Sequence, residues 1–155
     1  MNGNPSLKHR GRDFSIKTER ASRYKDKLNL VSRRAGQIEE WLGTANPEDL
    51  LDDDKTRLAS YKAFQEAVEA CLDLVAMMCK DSGLVPRDDY ANLENLEELK
   101  KETRSILIEA NGLRNHLVHR YNRIDDLLAL ESIKSLLPGL EAFSAEVEAW
   151  VETRL

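Results

Sequence analysis

Two cysteines in a chain of 155 residues, Cys71 and Cys79, are too few and too poorly spaced to build a disulfide framework. Within one expected helix their eight-residue separation corresponds to about 12 Å of rise, beyond the reach of a disulfide, so they read as core residues of a reducing compartment. No Cys-x-x-Cys pair, no His-x-x-x-His and no aspartate loop interrupted by glycine is present. Neither a zinc nor a calcium site is supported, and no metal or cofactor is expected. No apolar run approaches the roughly 20 residues of a membrane-spanning helix, and the opening Met1-Asn2-Gly3-Asn4-Pro5 has no signal-peptide character. These absences lead to the expectation of a cytoplasmic protein without a membrane partner. Sustained period-two alternation is missing as well, and β-branched clusters are few, which leaves an all-α domain. Without aromatic base-stacking platforms, no nucleotide sequence preference is readable.

What the chain does have is charge, unevenly spread. Residues 1–27 carry eight Lys/Arg against three Asp/Glu, a net of +5, while the remainder carries −10, for −5 in all. A basic arm attracts phosphates without regard to sequence. Arms of this composition are also commonly disordered. The chain is accordingly divided into a basic extension over residues 1–22 and a helical domain over 23–155.

Helical periodicity fills that domain. Tyr24, Leu28, Val31, Ile38, Trp41 and Leu42 make a stripe on a first helix from about Ser22 to Leu42, closed by Gly43-Thr44. Asn46-Pro47-Glu48-Asp49 reads as the cap and first turn of a short helix. Asp52-Asp53-Asp54 suits the positive end of a second helix, about Asp53 to Asp81, better than a metal site. That helix is apolar over more than one stripe, Leu58 included, which predicts burial on two sides: one in the core, the other available to a second subunit. A shorter helix is expected near Asp88–Leu99, and a fourth to about Tyr121. The last, about Asp125 to Arg154, is expected to be kinked or divided at Pro138-Gly139. The sum is an up-and-down bundle of four to five main helices.

The fourth helix carries the chemistry. Ile106, Ala110, Leu113, Leu117 and Ile124 follow helical spacing and predict its buried stripe, while Asn115, His119 and Asn122 share a second, mixed face with Ile108, Asn111 and Val118. Polar groups interleaved with apolar ones suit a dimer seam or cleft. Asn115 and His119, at i and i+4, are neighbours, so the amide is placed to orient the imidazole. Arg114 lies about 140° from His119 around an ideal helix, so the two do not converge within one regular helix. Either the helix deforms or ends near Val118, or two subunits bring them together. Taken singly, Arg114 reads as a surface ion pair, Asn115 as a polar interface residue, His119 as a hydrogen-bonded structural residue and Tyr121 as a core residue with a wet hydroxyl.

As a run, Gly112-Leu113-Arg114-Asn115-His116-Leu117-Val118-His119-Arg120-Tyr121, with Ile124-Asp125 downstream, resembles the signature of HEPN-domain proteins of the HepT toxin type. The order of helices from about Tyr24 to Trp150 is similar to theirs too. The resemblance implies a homodimer with its seam near the motif helix and a metal-independent ribonuclease with an RNA, not a DNA, substrate. It also implies a minimal nucleotidyltransferase as antitoxin partner. Arg114 and His119 are then the catalytic pair, with Arg114 on the phosphate and His119 as acid/base, and Asn115 orients the site. Tyr121 matches the tyrosine that the partner modifies with AMP. His116, Arg120 and Arg123 lie outside the matched positions and are candidate RNA contacts through their positive potential. The alternative is a non-catalytic HEPN module that binds a nucleotide or associates with a nucleotidyltransferase.

Overall fold

Apolar residues at alternating spacings of four and three decide the first helix, because such spacing keeps them on one face. The computed structural model describes residues 16–119 and 125–155. Helix α1, Thr18–Leu42, buries Tyr24, Leu28, Val31, Ala35, Ile38 and Leu42. It begins at Thr18 rather than Ser22. Ile16, just before it, is buried, and its N–H donates to the Arg154 carbonyl at 2.8 Å, tying this end of the described chain to the C-terminal helix.

A 3-10 turn, Pro47–Leu50, follows, with the Asn46 side chain accepting the Glu48 N–H at 3.2 Å. Helix α2, Asp54–Asp81, is capped by Asp53, whose carboxylate accepts the Thr56 N–H at 3.1 Å. The aspartate run thus serves the helix start, as its position predicts. The wide apolar face of α2 is covered on both flanks within the chain, since α1 and the three helices that follow all pack against it. No second subunit is needed to bury it. Leu58 lies outside this face and is exposed, contrary to the sequence reading.

Helix α3 is short, Asp89–Asn95, with Asp88 accepting the Ala91 N–H at 2.9 Å. It stops before Leu96 and Leu99, which are buried from non-helical backbone. Helix α4, Lys101–His119, carries the motif, and α5, Asp126–Glu152, completes the bundle. Here α5 lies against α1 and α4, and α4 lies between α2 and α5. All regular structure among the described residues is helical, so the architecture is an up-and-down bundle of five helices.

Helix α5 is not divided at Pro138. Proline removes the bond to the carbonyl four residues back, but burial of Leu130, Ile133, Leu136, Leu137, Leu140 and Phe143 on either side holds the helix together. Gly139 next to it is required by packing: a Cβ there would stand 2.4 Å from Cγ2 of Ile106 on α4. The two helices therefore touch closely one stretch before the motif. None of the described helices is long and apolar enough to cross a membrane.

Candidate functional site

The start of α4 is fixed by α5. Glu146 accepts the Lys100 N–H at 3.0 Å, and the Thr103 hydroxyl donates to the same carboxylate. Such a carboxylate satisfies otherwise unpaired donors at the positive end of the helix. From there Thr103, Leu107, Ala110, Asn111 and Leu117 are buried, while Ile106 and Leu113 are only partly so. The buried stripe is therefore rotated relative to the sequence expectation, centring on Leu107 rather than Ile106. Ile124 of the expected stripe lies outside the described residues. Asn111, expected on the mixed face, is buried instead, and its Oδ1 has no hydrogen-bond partner.

Rotation of the stripe changes the setting of Arg114. It lies between Ala110 and Leu117 on the inner side of the helix, and its side chain is only 18% exposed. Its Nε is buried without a hydrogen bond and faces the Glu69 carboxylate of α2 at 3.9 Å. Gln65, one turn earlier on α2, donates to that same oxygen at 3.3 Å. The charge of Arg114 is thus balanced across the α2–α4 seam rather than by solvent alone.

Asn115 is half-buried, and His116 and His119 are exposed. His119, one residue past Val118, is the last described residue of α4. Arg114 and His119 consequently stay on different sides of one helix, about 140° apart by regular helical geometry. Ile108 and Val118 are exposed on the outer side, at 36% and 39%, as the mixed face predicts. Arg120, Tyr121, Asn122 and Arg123 lie outside the described residues.

The start of α5 is held by its own cap and by α2. Asp125 caps α5 by accepting the Leu128 N–H at 3.1 Å, and the Tyr61 hydroxyl of α2 donates to Asp126. Arg57 Nε stands 3.6 Å from the same carboxylate, while its outer nitrogens hold Asp54 at 2.8 Å and the Leu51 carbonyl at 2.7 Å. The hydrogen bond to Asp54 holds the Arg57 guanidinium more firmly protonated than usual; burial opposes this, and the Asp126 charge adds to it.

Both the sequence and the helical bundle have known counterparts. The ribonuclease HepT-like family model matches residues 31–147. This chain belongs to that family. An Archaeoglobus fulgidus protein named "Putative RNase" is 35% identical to the HepT-like chain over 136 residues, covering 86% of it and 96% of the relative. A second protein of the same name and organism is 34% identical over 109 residues, 68% of this chain and 76% of its own. Among solved structures, a tri-AMPylated Shewanella oneidensis HEPN toxin in complex with an MNT antitoxin superimposes with a TM-score of 0.74 at 18% identity. That match covers 81% of the HepT-like chain and 96% of the toxin, and at this identity it establishes the HEPN fold alone.

Sequence reasoning missed Glu69 and Gln65. The signal was there in Val68-Glu69-Ala70, a lone carboxylate between two residues of the buried face of α2. Asn111 was seen but assigned to the wrong face. The Arg57, Tyr61 and Asp126 cluster joins positions too distant in sequence for any local pattern to link.

Proposed function

We propose that this chain is the toxin ribonuclease of a HEPN/nucleotidyltransferase toxin–antitoxin pair, a cytoplasmic homodimer that cleaves RNA without a metal ion. The observation that carries the reading is the position of Arg114: a charged fork held on the inner side of the motif helix, with a polar neighbour, Asn115, and an exposed His119 at the helix end. RNA cleavage of this type needs a base for the ribose 2′-hydroxyl, a positive group for charge on the phosphorane and a proton for the leaving oxygen. His119 takes the 2′-hydroxyl proton as the 2′-oxygen attacks phosphorus and the bond to the 5′-oxygen breaks; the 5′-oxygen leaves as a hydroxyl with a proton from water, and the imidazolium returns its own proton to solvent. Arg114 binds the phosphate through its fork, and Asn115 orients the imidazole. The products are a 2′,3′-cyclic phosphate and a 5′-hydroxyl end. His116, Arg120 and Arg123 supply positive potential for the RNA strand.

Because Arg114 and His119 diverge on one helix, the dimer seam lies along α4, where Ile108 and Val118 are exposed, and pairs the two motif helices. The partner nucleotidyltransferase inactivates the toxin by transferring AMP to Tyr121. The added phosphate competes with the substrate phosphate for Arg114. Solved neighbours are toxin–antitoxin complexes, which supports a partner of this class.

One experiment tests the reading. RNA cleavage is measured with excess chelator for wild type, R114A and H119A, alongside intact mass after incubation with a nucleotidyltransferase encoded beside this chain and ATP. Cleavage that survives chelation and is lost in both variants, with AMP-sized additions absent from Y121F, is the expected result. Wild-type cleavage unaffected by H119A sinks the assignment of the acid/base. No cleavage and no addition leaves the binding-module alternative.

A further inference from the structure

We propose that Glu69 on α2 is a positioning residue for Arg114, an inference that rests on the ribonuclease reading of Arg114 given above. A guanidinium can face a phosphate with two of its donors only if the rest of the group is turned to a fixed direction. Glu69 supplies that direction. Its Oε2 lies 3.9 Å from Arg114 Nε, on the inner edge of the guanidinium. At that distance the attraction is Coulombic, and Nε makes no hydrogen bond. The terminal nitrogens on the other edge are then the donors presented to substrate.

The carboxylate is itself held. Gln65 donates to the same oxygen at 3.3 Å, and Glu69 is flanked on α2 by the buried Val68 and Ala70. Asn111, one turn before Arg114, is buried with an unpartnered Oδ1, a second acceptor on the inner side of α4. The neighbouring acid, Glu66, serves a different purpose: it pairs with Arg34 of α1 at 2.8 Å. Two acids three residues apart on α2 thus divide their work, one between helices of the scaffold and one toward the motif.

A fixed negative charge beside Arg114 weakens the general attraction for RNA while it orients the fork. Removing the charge therefore moves the two kinetic constants in distinguishable ways. With the full chain, E69Q should lower kcat about tenfold, the order of effect that loss of one charge-assisted orientation produces. KM for a short RNA should stay the same or fall. E69D should recover part of kcat, and E66Q, which removes an equal charge from the same helix, should cleave as wild type does. Independently of catalysis, 15N relaxation should show Arg114 Nε more mobile in E69Q than in wild type.

Wild-type or faster cleavage by E69Q, with Arg114 Nε relaxation unchanged, overturns the proposal. So does a loss of kcat that only follows a fall in Tm and appears equally in E66Q. If R114A itself cleaves like wild type, the ribonuclease role of Arg114 is what fails, and the relaxation measurement alone then decides whether Glu69 holds that side chain.

Discussion

Arg114 stands among apolar side chains on a helix face that would ordinarily carry leucine, and burying a charge there costs free energy unless something offsets it. Glu69 offsets it in part, but at 3.9 Å it forms no hydrogen bond, so Nε remains unsatisfied. Lysine could replace the charge but not the planar fork, and its ammonium would seek the carboxylate directly. We expect R114K to lose almost as much cleavage as R114A, about 100- to 1000-fold, the range seen when one preorganised donor to a developing oxyanion is removed. Both variants should keep the wild-type Tm or exceed it, since each relieves a buried guanidinium. Single-turnover cleavage and thermal unfolding on the same samples check this, and R114K cleaving within a few-fold of wild type would show that charge alone suffices.

At the scale of the helix, two local devices position the motif. Gly139 lets α5 approach Ile106 of α4, because a Cβ would meet Cγ2 at 2.4 Å, and Ile106 is β-branched and slow to yield. G139A should destabilise the fold by about 1–3 kcal/mol through overpacking. I106A in the same chain should remove most of that penalty, a coupling readable from denaturant midpoints in a double-mutant cycle. The second device is the Asp53 cap of α2, whose bonds to Thr56 hold its carboxyl below the ordinary range. A lowered folded value means that the contribution is complete above the unfolded value, about 3.9, and is lost as pH falls through the folded one. D53A should therefore melt below wild type near neutral pH, and the gap should narrow in strong acid. The cap was legible in the sequence because Asp53 and Thr56 are local to each other. The same holds for the stripe of α1 and the ends of α2. The uninterrupted course of α5 through Pro138 was not, because what holds it is packing from other helices. Nor was the rotation of α4: Ile106 and Leu107 are equally apolar, and only the arrangement of α2 and α5 decides which one turns inward. Arg114, Asn115 and His119 were legible as a run, whereas Glu69 reaches them only through the fold.

At the scale of the whole molecule, the proposed ribonuclease requires Arg114 and His119 to meet one phosphate. Within one chain they stand about 140° apart on a helix that runs regularly through Val118, and Arg114 is turned toward α2 while His119 lies exposed at the end. In the dimer proposed above, a twofold axis along α4 would pair the two motif helices, with the exposed Ile108 and Val118 in the seam. Charge placed in that seam, as I108D/V118D, should shift sedimentation to the monomer and remove cleavage while leaving the helical content intact. A sharper test uses complementation. R114A and H119A homodimers are each inactive if both residues are needed, but when their subunits exchange, each mixed dimer contains one site with both native residues if the site is shared between protomers. Random exchange makes half the dimers mixed, so cleavage should return to about a quarter of wild type. If each site is built from a single chain, exchange restores nothing, because every chain still lacks one of the two residues. Recovery together with sensitivity to I108D/V118D would place the active centre on the dimer axis. No recovery, with subunit exchange verified by mass, would require α4 to deform in the RNA complex so that one chain brings its own Arg114 and His119 together.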